Sequence, residues 1–244
     1  MIIGAAANYA AASFYVGNIM KAELVEQIKT ETDGWEYKDG LPEDLHGFKL
    51  RHIDAESGDS YELFAYENES CHRSALAYFH EETREYKFKI RIGLTEFCLM
   101  QYITDKLEVF EGYLRHYLEQ SIHDLGQYNP ETLSYIMREQ NITAWDYKPH
   151  LPPVLEGFEL FITPDRPVRV LNGSYIIFDY SDFALESNFI IYYNEFRSEF
   201  YGEARIKNIP EMNYTFDSDS LLELEERLRE HLVERLREIR ERSR

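Results

Sequence analysis

Residues 35–50 read WEYKDGLPEDLHGFKL, and residues 145–160 read WDYKPHLPPVLEGFEL. At an offset of 110, Trp, Tyr, Lys, Leu, Pro, Leu, Gly, Phe and Leu coincide. Self-similarity over so long a period means one structural unit repeated along the chain. The match resumes at an offset of 114, where SYELFAY from Ser60 pairs with SYIIFDY from Ser174. YFHEETREYKFKIRI from Tyr78 then pairs with YYNEFRSEFYGEARI from Tyr192. Leu107, Glu111, Leu114, Arg115 and Leu118 pair with Leu221, Glu225, Leu228, Arg229 and Leu232. The extra residues fall in one place, between Leu50 and Ser60, where the second copy has the longer FITPDRPVRVLNG. An insertion confined to one connection is what a surface loop tolerates. The pattern predicts an internal duplication, with tandem copies over 20–126 and 127–244, each of ordinary domain size.

Each copy reads as helix, antiparallel sheet, helix, an α+β plan. In YKFKIRI, Tyr86, Phe88, Ile90 and Ile92 alternate with Lys87, Lys89 and Arg91. Period two with one apolar side is a half-buried antiparallel strand. Similar runs over 47–53, 61–66, 75–81 and 97–103 predict a meander of four or five strands per copy. The opening helix of the first copy is expected over 20–32, with Leu24, Val25 and Ile28 inward. In the second copy Asn129 suits a cap, Pro130 the first helical position and Glu131 the positive helix end. Asp105 with Glu108, and Ser220 with Glu223, have the spacing of capping boxes for the closing helices. Leu221, Leu224, Leu228, Leu232, Leu236 and Ile239 recur at a mean spacing of 3.6. That spacing suits a helix lying on a sheet rather than a coiled-coil seam. The same stripe also suits a homodimer contact through the C-terminal helix. The short connection over 123–129 predicts a fixed pseudo-twofold pairing of the copies.

The 244 residues include 26 Lys and Arg against 45 Asp and Glu, a formal net charge of −19. The excess is shared: 12 basic against 23 acidic residues over 20–126, and 14 against 22 over 127–244. A field of that sign repels nucleic acid and anionic membrane, and favours a protein partner with a basic surface. With 19 Tyr and 15 Phe, the chain has the apolar mass for a packed core. Two Cys make no disulfide framework and fit a reducing, cytoplasmic compartment. Residues 1–19, MIIGAAANYAAASFYVGNI, carry no charge. They lack the basic start of a secretory signal and make a poor transmembrane span. They read as a disordered leader or a misassigned start ahead of Met20, with a weak membrane or export segment as the alternative.

Phosphate-loop, dinucleotide, nucleophile-elbow, HExxH, CxxC and EF-hand patterns are all missing, which weakens the enzyme readings that depend on them. His116, Glu119 and His123 share a helical face and have metal-ligand spacing, but Glu230 and Val233 replace the first two in the second copy. They read as a solvent-facing helix side, so no metal and no cofactor is expected. Cys71 and Cys98 stand where the second copy has Leu185 and Met212, and read as packed small hydrophobes. Glu81 and Glu85 recur as Glu195 and Glu199. As an acidic face they suit acid–base chemistry, or, more simply, cross-strand ion pairing. The most specific motif centres on Trp35, Tyr37 and Lys38, with Trp145, Tyr147 and Lys148. It suits a recognition surface with Trp hot spots. It also suits a packing corner, in which Gly47 and Gly157 permit the bend into the next strand. The corner reading is preferred.

The expectation is therefore an acidic, non-enzymatic protein-binding module. In size, acidity and α+β plan it resembles bacterial secretion chaperones and toxin-immunity proteins. It carries no motif of either group, so no functional residue is transferred. The alternative is a small-molecule-binding protein or a hydrolase-type enzyme with its site in the cleft between the copies.

Overall fold

The computed structural model describes residues 20–244, which fall into two compact units, 20–129 and 130–244. The expected leader over 1–19 lies outside the described residues. The fold is α+β, with one antiparallel sheet in each unit, of six and seven strands.

In the first unit α1 (Ala22–Thr32) buries Leu24, Val25 and Ile28, and a short α2 (Glu36–Asp39) follows. Six strands then run as a meander in chain order: β1 (Asp44–Leu45), β2 (Phe48–Ser57), β3 (Ser60–Asn68), β4 (Arg73–His80), β5 (Glu85–Ile92) and β6 (Thr95–Cys98). On β5, Tyr86, Phe88, Ile90 and Ile92 are buried, while Lys87, Lys89 and Arg91 lie on the more open side. The closing helix α3 (Leu107–Gly126) buries Phe110, Leu114, Leu118, Ile122 and Leu125. Each such side chain contributes about 1.5–3 kcal/mol when fully withdrawn from water.

The second unit opens with α4 (Tyr135–Glu139). Its strands are β7 (Val154–Leu155), β8 (Phe158–Ile162), β9 (Val168–Arg169), β10 (Ser174–Asp182), β11 (Ser187–Asn194), β12 (Glu199–Ile206) and β13 (Ile209–Ser218). The sheet order is β13-β12-β11-β10-β8-β7, with β9 paired to β10. In the first unit β2 passes its bulge and continues; here the strand breaks between β8 and β9, where Pro164 and Pro167 stand. Proline cannot donate to a ladder, so the longer connection leaves the sheet there. The closing helix α5 (Leu221–Ser243) places Leu224, Leu228, Leu232, Leu236 and Ile239 in one core with Phe178, Phe189, Phe200 and Phe216. The leucine stripe is therefore covered within its own unit.

Cross-strand pairs in the two cores complement each other. In the first unit Ala77 faces Phe88 and Ala75 faces Ile90. In the second, Ile191 faces Gly202 and Phe189 faces Ala204. The large residue of each pair lies on β5 in the first unit and on β11 in the second, and the two pairs together carry nearly the same number of side-chain carbons. A core of fixed volume between a sheet and one helix demands that compensation.

Several local expectations need correction. The strand number exceeds four or five because two-residue ladders such as β1, β7 and β9 are too short to show a period. The run over 97–103 is not one strand: the ladder ends at Cys98, and Met100–Tyr102 forms a 3-10 turn. Buried Tyr102 sets that turn, its hydroxyl lying 2.8 Å from Ser121 Oγ. Asp105 does not cap α3, whose N-cap residue Lys106 has no side-chain cap bond. In the second unit Pro130–Thr132 is only a 3-10 turn. The helix starts after Ser134, whose Oγ accepts from Met137 N at 3.1 Å. Ser220 does cap α5, accepting from Glu223 N at 3.2 Å; the Glu223 carboxylate reaches back to Asp219 N rather than to Ser220.

Candidate functional site

The repeated Trp motif forms a corner against the closing helix of each unit. Gly47 and Gly157 turn the chain into β2 and β8 with φ of 84° and 85°, a left-handed conformation that favours glycine. In the first unit Trp35 is 7 % exposed, and its Nε1 donates to Glu111 Oε2 at 2.6 Å. Glu111 Oε1 also accepts from Arg115 Nε at 2.8 Å, and the Arg115 guanidinium lies 4.5 Å from the centre of the Tyr37 ring. Burial pushes the Tyr37 hydroxyl up to about 12. Lys38 is buried and donates to both oxygens of Asp54, at 2.7 and 2.8 Å. Asp54 sits in the β2 bulge with φ of 47°.

The second unit keeps half of this arrangement. Trp145 Nε1 donates to Glu225 Oε1 at 2.7 Å. A further contact to this glutamate comes from His150, which stacks on Trp145 and lies 3.7 Å from Glu225. Tyr147 donates its hydroxyl to Asp165 at 3.1 Å, whereas Lys148 is exposed. Two further bonds tie the Leu-Pro turn down: Tyr66 donates to Pro42 O at 2.8 Å, and Tyr180 to Pro152 O at 2.6 Å. Trp35, Tyr37 and Lys38 are thus engaged within their own unit.

The four recurrent glutamates sit at hairpin ends. Glu81 accepts from Lys21 N at 3.1 Å, and Glu85 pairs with Lys87 at 3.3 Å. Glu195 is buried, 3.6 Å from Arg169, with Oε2 unpartnered. Glu199 pairs with Arg197 at 3.0 Å. For Glu85 and Glu199 the cation lies two residues along the chain, not on the facing strand, because both begin a strand beside the turn. A hydrogen bond from Thr83 is the main reason the Glu85 carboxyl titrates below its usual range, with Lys87 assisting.

Two features escaped the sequence reading. The first is a buried polar group on β10–β12. Asp179 is fully buried; its carboxylate accepts from Ser181 Oγ at 2.9 Å and from Asn188 Nδ2 at 3.2 Å. Burial pushes its carboxyl up to about 7, against those two bonds and the Arg205 charge. Burial likewise raises Glu203, which lies 3.1 Å from Arg205. The Asn188 Oδ1 has no hydrogen-bond partner. The sequence signal is an Asp inside the apolar run YIIFDY, where the similar stretch of the first unit has Ala65.

The second is a groove of about 410 Å³ between β13 and α5. Phe216 and Met212 give it apolar walls, with Glu234, Arg235 and Glu238 along the helix. Tyr214 lines it and is 73 % exposed. Arg235 is held by Glu211 and Glu238, each at 2.7 Å. Arg242 and Arg235 together bring the Glu211 carboxyl down to about 2.

Among the described residues no group of three or more His, Cys, Asp or Glu is arranged to hold a metal ion. His123 does meet a second imidazole, that of His46, edge-on at 5.1 Å, and Glu119 lies 3.8 Å from His46. Both cysteines are free thiols, and Cys98 lies 3.1 Å from the Tyr78 hydroxyl. No helix among the described residues is long and apolar enough to cross a membrane. No protein-family model matches the chain, and neither a curated protein nor a solved structure matches it.

Proposed function

We propose that the protein is an acidic, non-enzymatic binding module, built from two copies of one α+β domain, that engages a partner protein with a basic surface. The observation that carries this reading is the distribution of charge. Both halves are separately acidic, at 12 against 23 and 14 against 22 charged residues, so the field is a property of each domain and not of one tail. Such a field speeds and selects encounter with a basic partner. Exposed aromatics support it: Tyr135, Phe196 and Tyr214 are all more than two-thirds exposed, and large rings are the usual anchors of an interface. The recurrence of the Trp–Glu and Tyr–Pro bonds at matched positions supports descent of both units from one domain.

The test is affinity capture from the source cell at low salt, followed by elution in rising salt. One stoichiometric basic protein that leaves as ionic strength rises is the expected result. A partner whose affinity is the same at low and high salt overturns the electrostatic mechanism.

A further inference from the structure

We propose that the groove between β13 and α5 receives a Lys or Arg side chain of the partner; this rests on the binding-module reading and gives it a site. The groove's volume of about 410 Å³ is in the range of small-ligand pockets. Its charges are unequal in one respect. Glu211 and Glu238 are neutralised by Arg235 and Arg242. Glu234 is exposed and has no ion-pair partner within 4 Å among the described residues; Arg237, whose guanidinium feels its charge, is paired with Glu156 at 2.9 Å. It shares the groove with the exposed Tyr214 ring. A carboxylate outside any ion pair and an open aromatic ring in one groove are the chemistry that holds a cationic side chain.

The aligned position in the first unit is lined by different side chains. At the offset of 114, Phe97, Tyr117 and Ser121 stand where the second unit has Glu211, His231 and Arg235. There Tyr117 packs edge-on against Tyr102, whose hydroxyl meets Ser121 at 2.8 Å. Neutral Gln120 occupies the position of Glu234. Phe216 and His231 keep the edge-on ring contact of Tyr102 and Tyr117, so the difference lies in the carboxylates, with Glu211 and Glu234 standing in the second unit where the first has Phe97 and Gln120.

Other occupants fit less well. A second copy carries the same −19 and is repelled. A strand added along β13 meets Pro210, which has no N–H, and a shift in the ladder between Asn213 and Ser218. Both devices blunt an edge against strand pairing. The partner thus docks by a side chain.

The test uses fluorescence anisotropy of a fluorescein-labelled nonapeptide of alternating Arg and Thr, titrated with the full chain at low salt. Glu234→Gln and Tyr214→Ala are each expected to weaken binding about five-fold, roughly the effect of one charge pair or one cation–aromatic contact. Glu23→Gln, an equal charge change at an exposed position of α1, is expected to change it less than about two-fold. Both groove positions are exposed, so the variants keep the wild-type melting temperature. Salt-sensitive binding that all three variants weaken equally overturns the groove and leaves the acidic-module reading standing. No binding by the wild type at low salt overturns both.

Discussion

Trp35 donates its indole N–H to Glu111 across 76 residues of chain, at 2.6 Å, and so pins the corner after α1 to the closing helix. Trp145 does the same with Glu225 at 2.7 Å. A part-buried bond to a carboxylate contributes about 1.5–3 kcal/mol, more than a neutral one. Double-mutant cycles of Trp35→Phe with Glu111→Ala, and of Trp145→Phe with Glu225→Ala, are expected to give similar coupling, on the order of 1–2 kcal/mol. Urea unfolding measures it. Coupling near zero in both would mean that the Trp rings act by packing alone.

Gly47 and Gly157 share one backbone conformation but not one environment. A Cβ on Gly47 would meet only Asn68 Nδ2, at 3.8 Å. On Gly157 it would fall against the Arg240 guanidinium, which donates to Glu156 O at 2.9 Å. Gly47→Ala is expected to cost about 1–2 kcal/mol for the positive φ. Gly157→Ala should cost roughly 1 kcal/mol more, for the displaced hydrogen bond. In an Arg240→Ala background the two sites should become alike; a persisting difference would locate the cost elsewhere.

The exchanged core pairs give a third expectation. Phe88→Ala leaves a cavity worth about 3–5 kcal/mol. Ala77→Ile overpacks the same spot by about 1–3 kcal/mol. Together they approach the arrangement that Ile191 and Gly202 make in the second unit. The double variant should be more stable than the sum of the singles by at least about 1 kcal/mol. Additive losses, measured by chemical denaturation, would show that the two cores are not interchangeable.

These relationships were unevenly legible in the sequence. YKFKIRI announced a strand because it is apolar on one side only, and the leucine spacing announced α5 because a helix on a sheet needs a single stripe. The start of α4 was misread: Pro130 looks like a first helical residue, yet Ser134 supplies the cap that the helix uses. The groove was invisible because it depends on volume. Only the contrast of Phe97 and Tyr117 with Glu211 and His231, at the offset of 114, hints at it. The Trp–Glu bonds were also hidden, since Glu111 and Glu225 looked like ordinary helix-surface acids. Asp179 was legible as an anomaly, one acid in an apolar strand, but its bonds to Ser181 and Asn188 depend on strand register.

Asp179 leads to the last prediction. Its carboxyl sits near 7 in the folded protein and near the ordinary 3.8 when the chain unfolds. Between those values the folded protein holds a proton that the unfolded chain has released. Stability contributed at this position therefore falls as pH rises from about 4 to about 7, and is level above that. Asp179→Asn removes the ionisation. Its amide then has an acceptor at hand, because a flip of Asn188 presents the otherwise unpartnered Oδ1. The variant is expected to be more stable than wild type at pH 7.5, on the order of 1–3 kcal/mol, with the difference shrinking towards pH 4. Glu211 acts in the opposite sense. Its carboxyl is held near 2, below the ordinary 4.5, so its contribution is present above 4.5 and is lost in both proteins as pH falls towards 2. It therefore cancels from the comparison. Urea unfolding of both proteins at pH 5 and pH 7.5 decides the matter. A variant less stable than wild type by the same amount at both values would mean that Arg205 keeps Asp179 ionised, and that the buried charge is a stabilising one.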